Sequence, residues 1–278
     1  KKSISFIQKF SKIPICVDTE GAQIRTKIKK NKNFKLNQRV FIFKKGGDFN
    51  LYPDTIFKKI LKKDILNVGF ENLKLKVIDK NNKYLLCKTI NSGKLGNNKG
   101  VHLENRNIKL DFLTKKDLDA IKIAIKLNIK NFALSFTNSA EDIIKFNKLL
   151  KNKNKIFKIE TKGAIKNFNS ILKEGNNFLI DRGDLSKDVN IENIPFVQRK
   201  LFLLKNKYKN KKIFVATNLL ESMMTNNYPT RGEANDIFNC LEMGSHGLVL
   251  AAETAIGKYP KEAVSFLKKM IQVFKKNK

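Results

Sequence analysis

Cysteine is scarce and scattered in this chain. Cys16, Cys87 and Cys240 are its three thiols in 278 residues, and none stands in a CxxC pair. That spacing suggests neither a disulfide framework nor a zinc site and fits a reducing, cytoplasmic setting. Histidine is scarcer still: His102 and His246 are isolated, so neither is assigned a catalytic role. No apolar run reaches the roughly 20 residues that a membrane span needs, and the N-terminus has no signal-peptide h-region. A soluble protein with no membrane partner is expected. The chain opens at Lys1 and not at a methionine, which points to a fragment or a processed product.

Acidic residues are also in short supply. Against 57 Lys and Arg there are 25 Asp and Glu, a net charge of +32. Such an excess raises the question of nucleic acid. The lysines, however, run along the whole chain mixed with asparagine, with no arginine-rich block and no nucleic-acid module. Specific nucleic-acid recognition is not expected; weak, salt-sensitive polyanion binding is.

What the chain does have is apolar material for a core, enough for one barrel-sized domain or a large domain with a small one. From about Asn131 short apolar runs alternate with helical patterns, the cadence of repeated βα units around a parallel sheet. The runs Phe132 to Phe136, Ile156 to Ile159, Phe178 to Ile180, Ile213 to Ala216 and Gly247 to Leu250 are nearly continuous in apolar residues, as strands buried on both faces are. An upstream strand over Ile13 to Val17 joins them. Thr114 with Asp117, Ser139 with Asp142 and Thr230 with Glu233 have capping-box spacing and predict helix starts. Leu118, Ile121 and Ile125 would share one helix face, and Ile237, Phe238 and Leu241 another. Between Thr26 and Lys99 the pattern changes. Segments such as Val40 to Phe43, Leu73 to Ile78 and Tyr84 to Thr89 alternate and are separated by Gly, Asn and Lys turns, which predicts an inserted β domain.

In parallel α/β folds functional groups collect beyond the carboxyl ends of the strands. After Ile156 and Phe157 come Lys158 and Glu160, which alternation puts on one side of an extended strand. After Phe178 to Ile180 comes Asp181-Arg182-Gly183-Asp184. Glu160 and Asp184 are therefore candidates for two hard oxygen ligands to Mg²⁺ or Mn²⁺, with Lys158 as a neighbouring positive charge. Gly183 leaves backbone N–H groups open to an anion at a turn into a helix. Thr217, after the following strand, could turn its hydroxyl to the same centre. Each feature also has an ordinary reading: a KxE pair in a lysine-rich chain, a chance RGD tripeptide, a strand-end threonine. Only geometry separates the two.

A resemblance narrows the field. VDTEGAQIRT at Val17 to Thr26, NSGKLGNNKGV at Asn91 to Val101, KIE at Lys158 to Glu160 and DRGDL at Asp181 to Leu185 resemble pyruvate kinase segments in family order. ATNLLESM at Ala216 to Met223, PTRGEAND at Pro229 to Asp236 and AAETAIGKYPKEAV at Ala251 to Val264 complete a collinear set over nearly the whole chain. The resemblance implies an α/β fold, a TIM-type (βα) barrel incomplete at the N-terminus with an inserted small β-rich lid. Residues 1–26 and 99–278 would form the barrel and 27–98 the lid. It implies phosphoryl transfer between phosphoenolpyruvate and ADP, giving pyruvate and ATP, with Lys158 and Thr217 catalytic. Glu160 and Asp184 would hold the divalent metal, Asp18 and Thr19 a potassium ion, and Gly183, Asp184 and Thr217 the substrate. Arg25, at the lid hinge, would be structural.

The departures from the family pattern carry their own expectations. The first two barrel strands, with an Arg and an Asn-x-Ser-His-Gly segment, have no counterpart before Lys1, and the C-terminal regulatory domain is absent. Asn-Leu-Pro becomes His102-Leu103-Glu104, an acidic pair becomes Phe70-Glu71-Asn72, and Ser-Gly becomes Ala251-Ala252. Completion by an N-terminal segment or by a homo-oligomer is one expectation. The alternative is a weakly active or inactive relative that binds metal and a small 2-oxo acid as a regulatory or interaction module.

Overall fold

The computed structural model of the chain describes residues 2–69, 73–104, 106 and 108–277, so the Phe70-Glu71-Asn72 segment lies outside it. The chain divides into two compact units, Lys1–Gly21 with Lys115–Lys278, and Ala22–Thr114. Among the described residues no helix is long and apolar enough to cross a membrane.

The first unit is built on one parallel sheet. Strand β1 (Cys16–Asp18) opens it, and after the insert it continues through β11 (Asn131–Leu134), β12 (Asn154–Ile159), β13 (Asn177–Asp181), β14 (Lys212–Ala216) and β15 (Gly247–Val249). Their spatial order, β1-β11-β12-β13-β14-β15, follows the chain without a reversal. A doubly wound sheet reverses its order at a switch point; a barrel wall does not. This is the α/β fold of a TIM-type barrel, here a six-stranded arc. The buried faces explain the continuous apolar runs: Phe132, Phe157, Phe178, Ile180 and Val215 are each at most 2 % exposed. Rings join neighbouring strands, Phe157 to Phe178, and link them to covering helices, Phe146 to Phe157 and Phe178 to Phe168, with centroids 5.7–6.2 Å apart.

Helices begin where all three capping signals put them. Ser139 and Asp142 form a reciprocal capping box at Ala140–Leu149, and Thr230 with Glu233 another at Arg231–Glu242. The helix Lys115–Lys126 starts directly after Thr114, and its Asp117 carboxylate accepts from the N–H groups of Glu20, at 2.6 Å, and Gly21, at 3.2 Å. Gly21 sits at φ +65°, where an added Cβ would come within 2.4 Å of the Ser135 carbonyl oxygen, so this close approach requires glycine.

Several expectations need correction. Ile13 and Pro14 lie outside β1: proline has no N–H for the ladder, and Ile13 is exposed. Strand β11 ends at Leu134, because Phe136 takes a positive φ of 53° and turns its N–H toward Glu160. Leu118 and Ile125 are exposed; the face that packs inward carries Asp117, Ile121 and Ala124. Phe238 is likewise exposed, and Ile237 with Cys240 is buried.

The second unit is antiparallel. Its strands are β2 (Ile24–Ile28), β3 (Lys32–Phe34), β4 (Arg39–Phe43), β5 (Phe49–Tyr52), β6 (Ile65–Val68), β7 (Leu73–Lys80), β8 (Tyr84–Thr89), β9 (Gly93–Leu95) and β10 (Gly100–Leu103). Seven form one sheet in the order β4-β8-β7-β6-β10-β2-β5, and β3 pairs with β9. The Asn50 side chain donates to the Phe43 carbonyl at 2.7 Å, bringing the two ends together in a nearly closed barrel. Alternation has its usual consequence. Val40, Ile42, Leu73, Leu75, Val77, Leu85 and Cys87 point into one apolar core, while their neighbours face out.

Candidate metal and anion site

Parallel register brings the carboxyl ends of four strands to one rim. Lys158 pairs with Leu179 and Asp181 with Ala216, so Glu160, Asp181 and Thr217 end neighbouring strands. At β1, Asp18 lies opposite Ala133 of β11.

Lys158 is the hub. Its ammonium lies 2.9 Å from Glu160 Oε1, 3.1 Å from Asp18 Oδ2 and 3.2 Å from Asp181 Oδ2. Burial works against its charge, but Glu160, Asp18 and Asp181 outweigh it and hold the lysine protonated far above its ordinary range. Glu160 is fully buried, and burial pushes its carboxyl well above the usual carboxylate range against the pull of Lys158; Asp181 and Asp184 push the same way. Its Oε2 accepts the Phe136 N–H at 2.5 Å. Oε1 is within ion-pair distance of Lys158 yet makes no hydrogen bond of acceptable geometry, which leaves lone-pair capacity in a dry site.

Asp184 and Asp181 stand at the start of the helix Arg182–Asp188. Asp181 caps it, its Oδ1 accepting the Asp184 N–H at 3.4 Å, and Asp184 pairs with Lys187. Carboxylate oxygens of Glu160, Asp181 and Asp184 all lie within 4.8 Å of one another. Such hard donors at that spacing fit a divalent cation of the Mg²⁺ or Mn²⁺ kind.

Thr217 follows β14 at φ +69°, a costly conformation for a β-branched residue. Its hydroxyl accepts the Gly183 N–H at 2.8 Å and shares its own proton between Ala216 O, at 2.5 Å, and Asp181 Oδ1, at 3.2 Å. Gly183 and Thr217 therefore do meet. Asp18 and Thr19 are drawn together by Ser135: its hydroxyl donates to Asp18 Oδ1 at 2.9 Å, and its N–H to Thr19 Oγ1 at 3.0 Å. Asp18 is thus part of the cradle around Lys158.

Two site residues escaped the sequence reading. Asp181 and Arg182 were legible only as the first two letters of their tetrapeptide, with no role attached. Arg182 donates to the Thr217 carbonyl and pairs with Asp236 at 2.6 Å. Ala251 offers no hydroxyl; its N–H donates to buried Glu253 at 2.8 Å.

A barrel-type α/β sheet with a lysine and clustered carboxylates at its carboxyl rim defines a class of barrel protein that offers hard oxygen donors beside a fixed positive charge. Comparison with known proteins makes this specific. The family described as pyruvate kinase, barrel domain, matches residues 2–264, and the chain belongs to the pyruvate kinase family. It is 31 % identical to pyruvate kinase of Thermotoga maritima over 93 % of this chain and 58 % of that protein. Identity is 33 % to pyruvate kinase of Methanocaldococcus jannaschii over 98 % and 61 %, and 33 % to that of Dictyostelium discoideum over 93 % and 54 %. The chain thus spans about half the length of the curated relatives it matches, from 49 % to 61 %.

Proposed function

We propose that this chain performs the phosphotransfer chemistry of a pyruvate-kinase-type transferase, moving a phosphoryl group between phosphoenolpyruvate and ADP to give pyruvate and ATP in cytoplasmic glycolysis. The observation that carries the reading is the meeting of Lys158, Glu160 and Asp184 at one rim of a pyruvate kinase barrel domain. Glu160 and Asp184 would hold Mg²⁺ or Mn²⁺, and Asp18 and Thr19 a potassium ion. The divalent ion, when bound, supplies charge neutralisation to phosphoryl and carboxylate oxygens. The chain's own part is positioning and electrostatics. Lys158 sets a fixed positive charge toward the transferring phosphoryl group and the enolate oxygen. Gly183 N–H and the Thr217 hydroxyl orient the substrate carboxylate. Completion by a second copy or by a further segment belongs to the same reading.

A second reading has one observation in its favour: Ala251 carries no hydroxyl where the family usually has serine. On that reading the chain binds a divalent metal and a small 2-oxo acid without efficient transfer, as a regulatory or interaction module. A coupled assay for pyruvate formation, run beside Mn²⁺-dependent oxalate titration of the same sample, separates the two. Pyruvate formation with oxalate binding supports the transferase. Oxalate binding alone supports the module, and neither result sinks both.

A further inference from the structure

Asp181 is 8 % exposed, and among the described residues its carboxylate is the one bonded to both Lys158 and Thr217. The consequence for an anion is adverse. The Lys158 ammonium faces three carboxylates, those of Glu160, Asp18 and Asp181. The Gly183 N–H is spent on the Thr217 oxygen, and the Thr217 proton lies between Ala216 O and Asp181 Oδ1. Every donor that would orient a substrate carboxylate is already engaged, and the Asp18 and Asp181 carboxylates beside the one ammonium oppose an incoming anion.

For a cation the same arrangement is favourable. Glu160 Oε1 is buried without a well-formed hydrogen bond, and oxygens of Glu160, Asp181 and Asp184 converge within 4.8 Å. A carboxylate has about four lone-pair positions, and the Asp181 oxygens take Lys158, Thr217 and a long contact from the Asp184 N–H. Capacity for a cation remains.

We infer that Asp181 is a third carboxylate ligand of the divalent-cation site and makes the cation a precondition for anion binding, an inference that rests on the metal reading proposed above. A cation that draws the Asp181 carboxylate to itself frees the Lys158 ammonium and the Thr217 proton together, so the oxo acid meets its donors only after the metal has bound. Asp181 therefore couples the two half-sites.

The test uses the whole chain and calorimetric titration with MnCl₂ and with oxalate, each alone and then together. The wild type binds Mn²⁺ without oxalate and binds oxalate only with Mn²⁺ present. Asp181→Asn keeps an oxygen for Thr217 and the helix cap but loses the charge. It weakens Mn²⁺ binding by about tenfold or more and gains oxalate binding in the absence of metal, which loss of a merely structural contact would not produce. Wild-type Mn²⁺ affinity in Asp181→Asn overturns the inference. Glu160→Gln is the companion: if it too leaves Mn²⁺ binding intact, the metal reading itself has failed, whereas loss in Glu160→Gln alone sinks only the role of Asp181. Should Asp181→Asn not fold, the wild type still decides, because metal-free oxalate binding as tight as that with Mn²⁺ overturns the required order.

Discussion

Arg182 holds the backbone carbonyl of Thr217 with two donors, Nε at 3.1 Å and Nη2 at 2.6 Å. The third edge of the guanidinium is tied to Asp236 of the helix Arg231–Glu242 at 2.6 Å. Thr217 needs such a clamp. A β-branched residue at φ +69° sits in a sparsely populated region that costs about 1–3 kcal/mol and persists only where its surroundings over-determine it. The planar fork lets one side chain reach the carbonyl and the carboxylate at once, and a lysine cannot reproduce it.

Arg182→Lys is therefore expected to cost about 2 kcal/mol of stability, the scale of hydrogen bonds to a charged group, and to weaken Mn²⁺-dependent oxalate binding. Urea unfolding and oxalate calorimetry measure the two effects on one preparation. A destabilised protein with unchanged oxalate affinity would place the Thr217 conformation under some other control.

Glu233 gives a prediction in pH. Burial works to raise its pKa, but bonds from the Ser222 hydroxyl and N–H and from Thr230 outweigh it and hold the carboxyl below the ordinary 4.5. A folded value below the unfolded one means that the bonded carboxylate stabilises fully above the unfolded pKa, and that this contribution is lost as pH falls through the folded value. Glu233→Gln should lower stability by about 1 kcal/mol at neutral pH, the usual scale of a helix cap. Denaturation curves of the two proteins should converge in strong acid. A difference that stays constant down to acid pH would show that shape, and not charge, carries the effect.

Much of this was legible in the chain, for identifiable reasons. Strands buried on both faces announce themselves as continuous apolar runs, and Ser139 and Thr230 mark helix starts through local chemistry. Lys158 and Glu160 could be paired because alternation along one strand is a local rule. Asp181 could not be joined to them, since its place beside Glu160 depends on the register in which Lys158 pairs with Leu179. Arg182 was hidden for a similar reason: its partners are 35 and 54 residues away. The helix Lys115–Lys126 misled in the other direction, because Leu118 and Ile125 match the helical period yet stay in solvent.

Asp184→Asn should weaken Mn²⁺ binding by about tenfold, the low end for disturbing such a site, while leaving the fold within about 0.5 kcal/mol, as partly exposed substitutions usually do. The residue lies at the first turn of Arg182–Asp188, and its ion pair with Lys187 is local. Calorimetry of Mn²⁺ binding checks the first claim and urea unfolding the second. Equal Mn²⁺ affinity in both proteins would remove Asp184 from the site.

Phe178 connects the core to the rim. It is fully buried, with Phe157 and Phe168 ring centroids at 6.2 and 5.7 Å, and it lies three residues before Asp181 on β13. Phe178→Ala removes most of a ring from a packed layer and should cost about 3–5 kcal/mol, the transfer loss plus a cavity that the neighbouring rings fill only in part. Phe178→Leu keeps more of the volume and should cost distinctly less. Because β13 also carries the carboxylate that touches Lys158 and Thr217, loosening its packing should weaken Mn²⁺-dependent oxalate binding in the same order, alanine more than leucine. Urea unfolding of both variants, with oxalate titration under conditions where each remains folded, measures the coupling. Oxalate affinity that stays at the wild-type value while stability falls would show that the rim is held by its own hydrogen bonds, independently of the core beneath it.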